Sequence, residues 1–257
     1  MSLFVAIESL PGCKKSRHAI YLADHIGTSS VLCENYIFSL DAVKRLFMSS
    51  KQSANYAFGC ELTILGSLCN SLDILKEYIK KADKIVYDHT IFFPYLWICS
   101  FYAQKLITED EKNILLTTLR ALIKRFIILL KESNYFFLYI YIESDPFWCV
   151  PNIRGIRKYE NNLNFAAPLP LCIEAENMLI SLLVFKEEFL SYMVQCFKEE
   201  DYIRYDIARI VNYNQNGPIK TKLVATEIAK QCDVCIKMFI DVEPCYTAED
   251  FENFNLF

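Results

Sequence analysis

Residues 8–17 read ESLPGCKKSR, set between the apolar run LFVAI at 3–7 and the amphipathic segment HAIYLADHI at 18–26. Buried strand, tight turn and helix in that order make the frame of a phosphate-binding loop, whose pattern is G-x-x-x-x-G-K-[ST]. Here Ser9 stands at the first glycine position and Lys14 at the second, while Lys15 and Ser16 keep the lysine and hydroxyl positions. A phosphate cradle works because successive backbone N–H groups converge on the anion, and glycine is needed where the chain takes positive φ or passes close to it. Both of those positions are altered and Gly12 alone is a weak remnant, so Lys15 and Ser16 read as vestiges of a nucleotide site.

Outward from this loop, short apolar runs alternate with longer helical stretches. After the strand at 3–7 and the helix closing near Gly27, VLCEN (31–35) is a weaker strand. A largely helical region then runs from about 40 to 81, with apolar spacing through Val43, Leu46 and Phe47 and through Leu72, Leu75 and Ile79. KIVY (84–87) is the third strand. Thr108 and Glu111 form a T-x-x-E capping box ahead of a helix that carries Leu115, Leu119, Leu122, Phe126 and Leu130 on one face. FFLYIYI (136–142) lacks alternation, as expected of a parallel strand covered on both sides. ARIVNY (208–213) is the last expected strand, followed by the turn NQNGP (214–218) and a helix over about 219–240.

The pattern predicts an α/β fold, predominantly helical, with a parallel sheet wrapped by helices. Residues 1–240 read as one globular domain and 241–257 as a C-terminal arm, since Pro244 separates the acidic, aromatic segment from the helix before it. That arm offers Cys245, Tyr246, Phe251, Phe254 and Phe257 as anchors for docking on another surface.

Net charge of −4 and a pI near 5.5 give no general attraction for nucleic acid or an anionic membrane, so neither is expected as a partner. LFVAI is too short for a secretory signal, and the apolar region 114–142 is broken by Arg120, Lys124, Arg125, Lys131 and Glu132, which argues against a membrane span there. Of eleven cysteines only Cys232 and Cys235 make a C-x-x-C pair, with no second pair to complete a zinc site. Buried thiols are the ordinary reading of the rest, and the odd total leaves an intermolecular disulfide open. No metal or cofactor is expected.

The order of landmarks resembles the deoxynucleoside kinase family, relatives of the thymidylate kinases, from residue 3 to about 190. That resemblance implies a P-loop kinase-like fold, with an E-R-S motif after the third strand, a D-R pair shortly after, and an arginine-rich lid after a strand ending near proline. Asp88, His89 and Thr90 occupy the E-R-S position, and Pro94 and Tyr95 the D-R position. Two lid arginines fall on Asn152 and Ile156, although Arg154, Arg157 and Lys158 are nearby and Pro151 breaks the helix expected to present them. Asp88 and His89 are therefore candidate acid–base residues in vestigial form, and the chain is expected to be catalytically inactive.

In length, helical character and cysteine use the whole chain looks like the occlusion-body proteins, or polyhedrins, of nudiviruses. That resemblance implies a structural protein that packs with copies of itself into a crystalline lattice encasing virions, formed inside the infected cell, in the nucleus. The competing expectations are an active deoxynucleoside or thymidylate kinase using Lys15, Ser16 and Asp88, and an inactive kinase-like regulator of a partner.

Overall fold

A computed structural model describes residues 2–13, 15–26, 30–34, 54–88, 90–152 and 169–211, with a few further positions between 213 and 230. Five parallel strands form one sheet in the order β2-β3-β1-β4-β5: β1 (Ser2–Ser9), β2 (Ser30–Glu34), β3 (Lys84–Asp88), β4 (Tyr135–Glu143) and β5 (Tyr205–Val211). The helices are α1 (Lys15–Ile26), α2 (Ala54–Ile79), α3 (Pro94–Ala103), α4 (Glu109–Glu132), the single turn α5 (Pro146–Cys149), α6 (Leu169–Val184) and α7 (Lys186–Glu199). This is the α/β architecture expected from the alternation of strands and helices.

Sequence explains most of these elements locally. Leu3 to Ile7 are all buried, because β1 is the middle strand and is covered on both faces. Tyr135 to Ile142 are buried for the same reason. Helix α4 starts at the expected box: Thr108 Oγ1 accepts from Glu111 N at 3.2 Å, and Thr108 N donates to Glu111 Oε2 at 2.8 Å. Helix α3 is apolar all round and is buried from Pro94 through Phe101, which marks a core helix, not an amphipathic surface one. Between sheet and helices an aromatic cluster locks the layers together. Phe126 of α4 meets Phe4 of β1 at 5.4 Å and Phe137 of β4 at 5.6 Å, both edge-on, and Phe137 meets Phe197 of α7 at 5.4 Å. Such pairs add about 0.5–1.5 kcal/mol each beyond the area they bury.

Three expectations shift. The last strand starts earlier than 208, at Tyr205, because that ring stacks on Phe197 at 4.3 Å and Phe137 N bonds Arg204 O at 2.8 Å. The helix expected from 40 is described from Ala54, and residues 40–53 lie outside the described set. Two short strands pair antiparallel, β6 (Tyr213–Asn214) with β7 (Gly217–Pro218), while 215–216, most of 219–240 and all of 241–257 lie outside the described residues. Helix α2 contains a stretch, Ala57–Ile79, long and apolar enough by length and composition to cross a membrane. In this fold its apolar side, including Ile64, Leu65, Leu68 and Leu72, is buried in the core, and Asp73 on it pairs with Arg125 of α4 at 3.1 Å.

Among the described residues, Glu61 and His18 are buried ionisable groups whose protonation burial alone shifts strongly. Both carboxyl oxygens of Glu61 on α2 are buried without a hydrogen bond, and burial pushes the group up to about 8. His18 on α1 is lowered to about 4, also by burial, so it is held neutral. The folded state therefore keeps a proton on Glu61 that the unfolded chain releases above its ordinary value near 4.5. The sign follows: stability contributed by Glu61 is greatest at low pH and is lost as pH rises toward about 8. Replacing Glu61 with Gln is expected to remove that loss, raising stability at alkaline pH relative to the parent by a few kcal/mol. Denaturation curves of the two proteins across pH check it; the His18 contribution, opposite in sign between about 4 and 6.5, cancels in the difference.

Candidate functional site

In a sheet of this order the chain leaves β1 for β2 at the edge, returns through β3 and then crosses to β4 on the other side, so the carboxyl ends of β1, β3 and β4 flank a topological switch point. Three acidic residues end these strands: Glu8 one position short of the end of β1, Asp88 at the end of β3 and Glu143 at the end of β4. Glu34 ends β2 in register with Asp88.

Lys15, the first residue of α1, turns into this site. Its Nζ lies 2.6 Å from Glu8 Oε1 and 3.8 Å from Asp88 Oδ1, with the Phe93 ring 5.7 Å away. Glu8 is fully buried and its second oxygen accepts from Thr90 N at 3.0 Å; Oε1 also accepts from Ser9 N at 3.1 Å. Burial pushes the Glu8 carboxyl above the ordinary range, while Lys15 and the two amides pull against it. Behind Glu8, Tyr141 of β4 stands in register with it, and the Tyr139 and Tyr141 hydroxyls are buried without hydrogen-bond partners. Burial, with the Glu8 charge as a smaller cause, pushes both phenols upward.

The loop between β1 and α1 is covered from outside. Gly12 has φ +90°, and a Cβ there would overlap the backbone carbonyl of Cys149 at the end of α5, with the Cys149 carbonyl carbon only 2.9 Å away. Gly12 is thus required at its position, more than the weak remnant expected from the pattern: it seats the loop against α5. That turn begins with Asp145 capping Phe147 N at 2.8 Å and runs into a 3-10 turn over Val150–Asn152, whose Asn152 donates to Trp148 O at 3.2 Å.

No described protein family matches the sequence, and no curated protein matches it. Solved structures do. A deoxyadenosine kinase from M. mycoides, solved with the products dCMP and a flexible dCDP, superposes with a TM-score of 0.56 at 13% identity over 90% of this chain and 100% of that one. The same kinase with bound dATP gives a TM-score of 0.56 at 11% identity, covering 90% and 99%. The fold is an α/β, nucleoside kinase-like one. At this identity the likeness concerns the fold, and the chemistry has to be read from the residues present.

Of the residues expected at the site, Lys15 and Asp88 are brought together, whereas Ser16 is solvent-exposed on α1. His89 lies outside the described residues, as do Lys14, Arg154, Ile156, Arg157, Lys158, Cys232, Cys235 and the arm candidates Cys245, Tyr246, Phe251, Phe254 and Phe257. Tyr95, at the D-R position, faces the helices: its hydroxyl donates to Glu188 Oε1 at 2.6 Å and its ring stacks on Tyr192 at 4.3 Å. Glu8 was not singled out from the sequence, although it stands in the same strand-to-loop stretch, where a charged residue in a buried run was the available signal.

A nucleoside triphosphate, which the similar kinases bind, would have to compete with Glu8 for the Lys15 ammonium. Glu8, Asp88 and Lys15 together carry a formal excess of negative charge, and moving the ammonium to a phosphate would leave Glu8 buried without it, a penalty of several kcal/mol. Substituting Gly12 with Ala is expected to destabilise the protein by at least about 1–2 kcal/mol, because an L side chain is strained at that φ and collides with α5. Chemical denaturation measures the loss, and a neutral result would show that loop and α5 part readily.

Proposed function

We propose that this chain is a kinase-fold protein without phosphoryl transfer, kept as a scaffold whose surface makes contacts, and that its fullest use is as the self-assembling matrix of a viral occlusion body. The observation that carries the first part is the commitment of Lys15 to Glu8 in the interior. Lys15 holds a buried carboxylate here, and meeting a phosphate would mean giving that contact up. The altered loop positions Ser9 and Lys14, and the use of Tyr95 for helix packing, support the same reading.

The second part is supported by the surface near α5 and α6, two elements that pack together. Phe147 is 61% exposed, Val184 71%, and Ile173 and Ile180 are nearly half exposed. Large apolar side chains left in solvent favour association between proteins. Association with copies of the same chain is the lattice reading, with virions enclosed in it; association with another protein is that of a soluble pseudokinase-like regulator. An active deoxynucleoside kinase with an atypical loop is the other reading, favoured by the convergence of Lys15 and Asp88 and by the fold of the deoxyadenosine kinases.

Purified protein with ATP, magnesium and each of thymidine, deoxycytidine, deoxyadenosine and thymidylate is expected to give no transfer, and saturating ATP to leave the melting temperature unchanged. A true ligand at a hundredfold excess over Kd would add about 2.7 kcal/mol. Turnover abolished by Lys15→Ala would establish the kinase reading instead. For assembly, deleting residues 245–257 is expected to leave a folded chain that no longer forms particles in cells. Particles formed equally well without the arm would remove it from the assembly contacts.

A further inference from the structure

Two cysteines distant in sequence lie on either side of the place where α5 covers the loop. Cys13 Sγ is 2.9 Å from Ser144 Oγ, and the Cys149 thiol, raised chiefly by burial, is raised further by the charge of Cys13. Cys13 is the residue after Gly12, whose open face rests on the Cys149 backbone. Both thiols are buried and reduced in this structure. We propose that Cys13 and Cys149 form an intrachain disulfide that latches the loop after β1 to α5. The inference stands whether or not the chain transfers phosphate.

Closing the bond requires the Ser144 hydroxyl to rotate aside and the two sulfurs to approach to about 2.05 Å, with the Cα atoms about 4.4–6.8 Å apart. The near approach of the Gly12 and Cys149 backbones supplies the main-chain proximity. The oxidant is a small disulfide such as oxidised glutathione. The Cys13 thiolate attacks one of its sulfurs, forming a mixed disulfide and releasing one glutathione thiolate; the Cys149 thiolate then attacks the Cys13 sulfur and expels the second. Two protein thiols become one disulfide, their two protons pass to the two glutathione thiolates, and two electrons reduce the glutathione disulfide. Burial pushes the Cys149 thiol up to about 12, so the second step needs a local opening of α5, and closure is faster at alkaline pH or during folding. Once made, the bond is screened from reductants by the same burial.

Trypsin offers a direct readout, since residues 1–14 and 132–154 are separate tryptic peptides with one cysteine each, Cys13 and Cys149. Full-length protein is incubated with oxidised glutathione, its remaining thiols are alkylated, and it is digested without reduction for mass spectrometry. The expected result is a linked pair of these peptides, two hydrogens lighter than their sum, that separates on reduction. Oxidised protein is also expected to melt at a higher temperature than reduced protein, a difference abolished in Cys149→Ser. Recovery of both cysteines as alkylated or singly glutathionylated peptides overturns the proposal, as does linkage of Cys13 to any other cysteine. The wild-type map decides this even if the variant fails to fold.

Discussion

The Lys15 ammonium and the Glu8 carboxylate, 2.6 Å apart at the carboxyl end of the central strand, are the contact on which the site depends. Burying a carboxylate completely is costly unless an opposite charge and hydrogen bonds accompany it, and Glu8 has both: Lys15 on one oxygen, Thr90 N on the other. Each of these partners also positions an element. Lys15 opens α1, so its pairing fixes the entry of that helix; Thr90 follows β3, so its amide ties the turn into α3 to β1. The contact that neutralises the interior thus organises the switch point.

Around it, positions that the family resemblance assigns to substrate are occupied by packing. Tyr95 stacks on Tyr192 and bonds Glu188, joining α3 to α7. Pro94 starts a helix that is buried through Phe101. Asn152 bonds back to Trp148 of α5, where a lid arginine was expected. The outer side of the loop is sealed by Cys149 against Gly12. Among the described residues, these positions are held by packing neighbours.

Much of the fold was legible because it is written in short-range signals. The unbroken apolar runs at 3–7 and 136–142 announce strands covered on both faces, and Thr108 with Glu111 announces the start of α4. The edges were harder: β5 begins at Tyr205 because its ring packs on Phe197, a contact between residues whose pairing no local pattern reveals. The same limit applied to the site. Ser9 and Lys14 showed that the loop had changed, but that Lys15 turns inward to Glu8, and that Gly12 is needed for a neighbour 137 positions along the chain, follows only once β1, β3 and α5 are placed together.

The central claim is that Lys15 belongs to Glu8, and a double-mutant cycle with Glu8→Gln and Lys15→Met measures it most directly by chemical denaturation. The account predicts a coupling energy of about 2 kcal/mol or more, with the second substitution costing far less once the first has been made. Losses that simply add, to within about 0.5 kcal/mol, would mean that the two side chains do not depend on each other and that Lys15 is free for another partner.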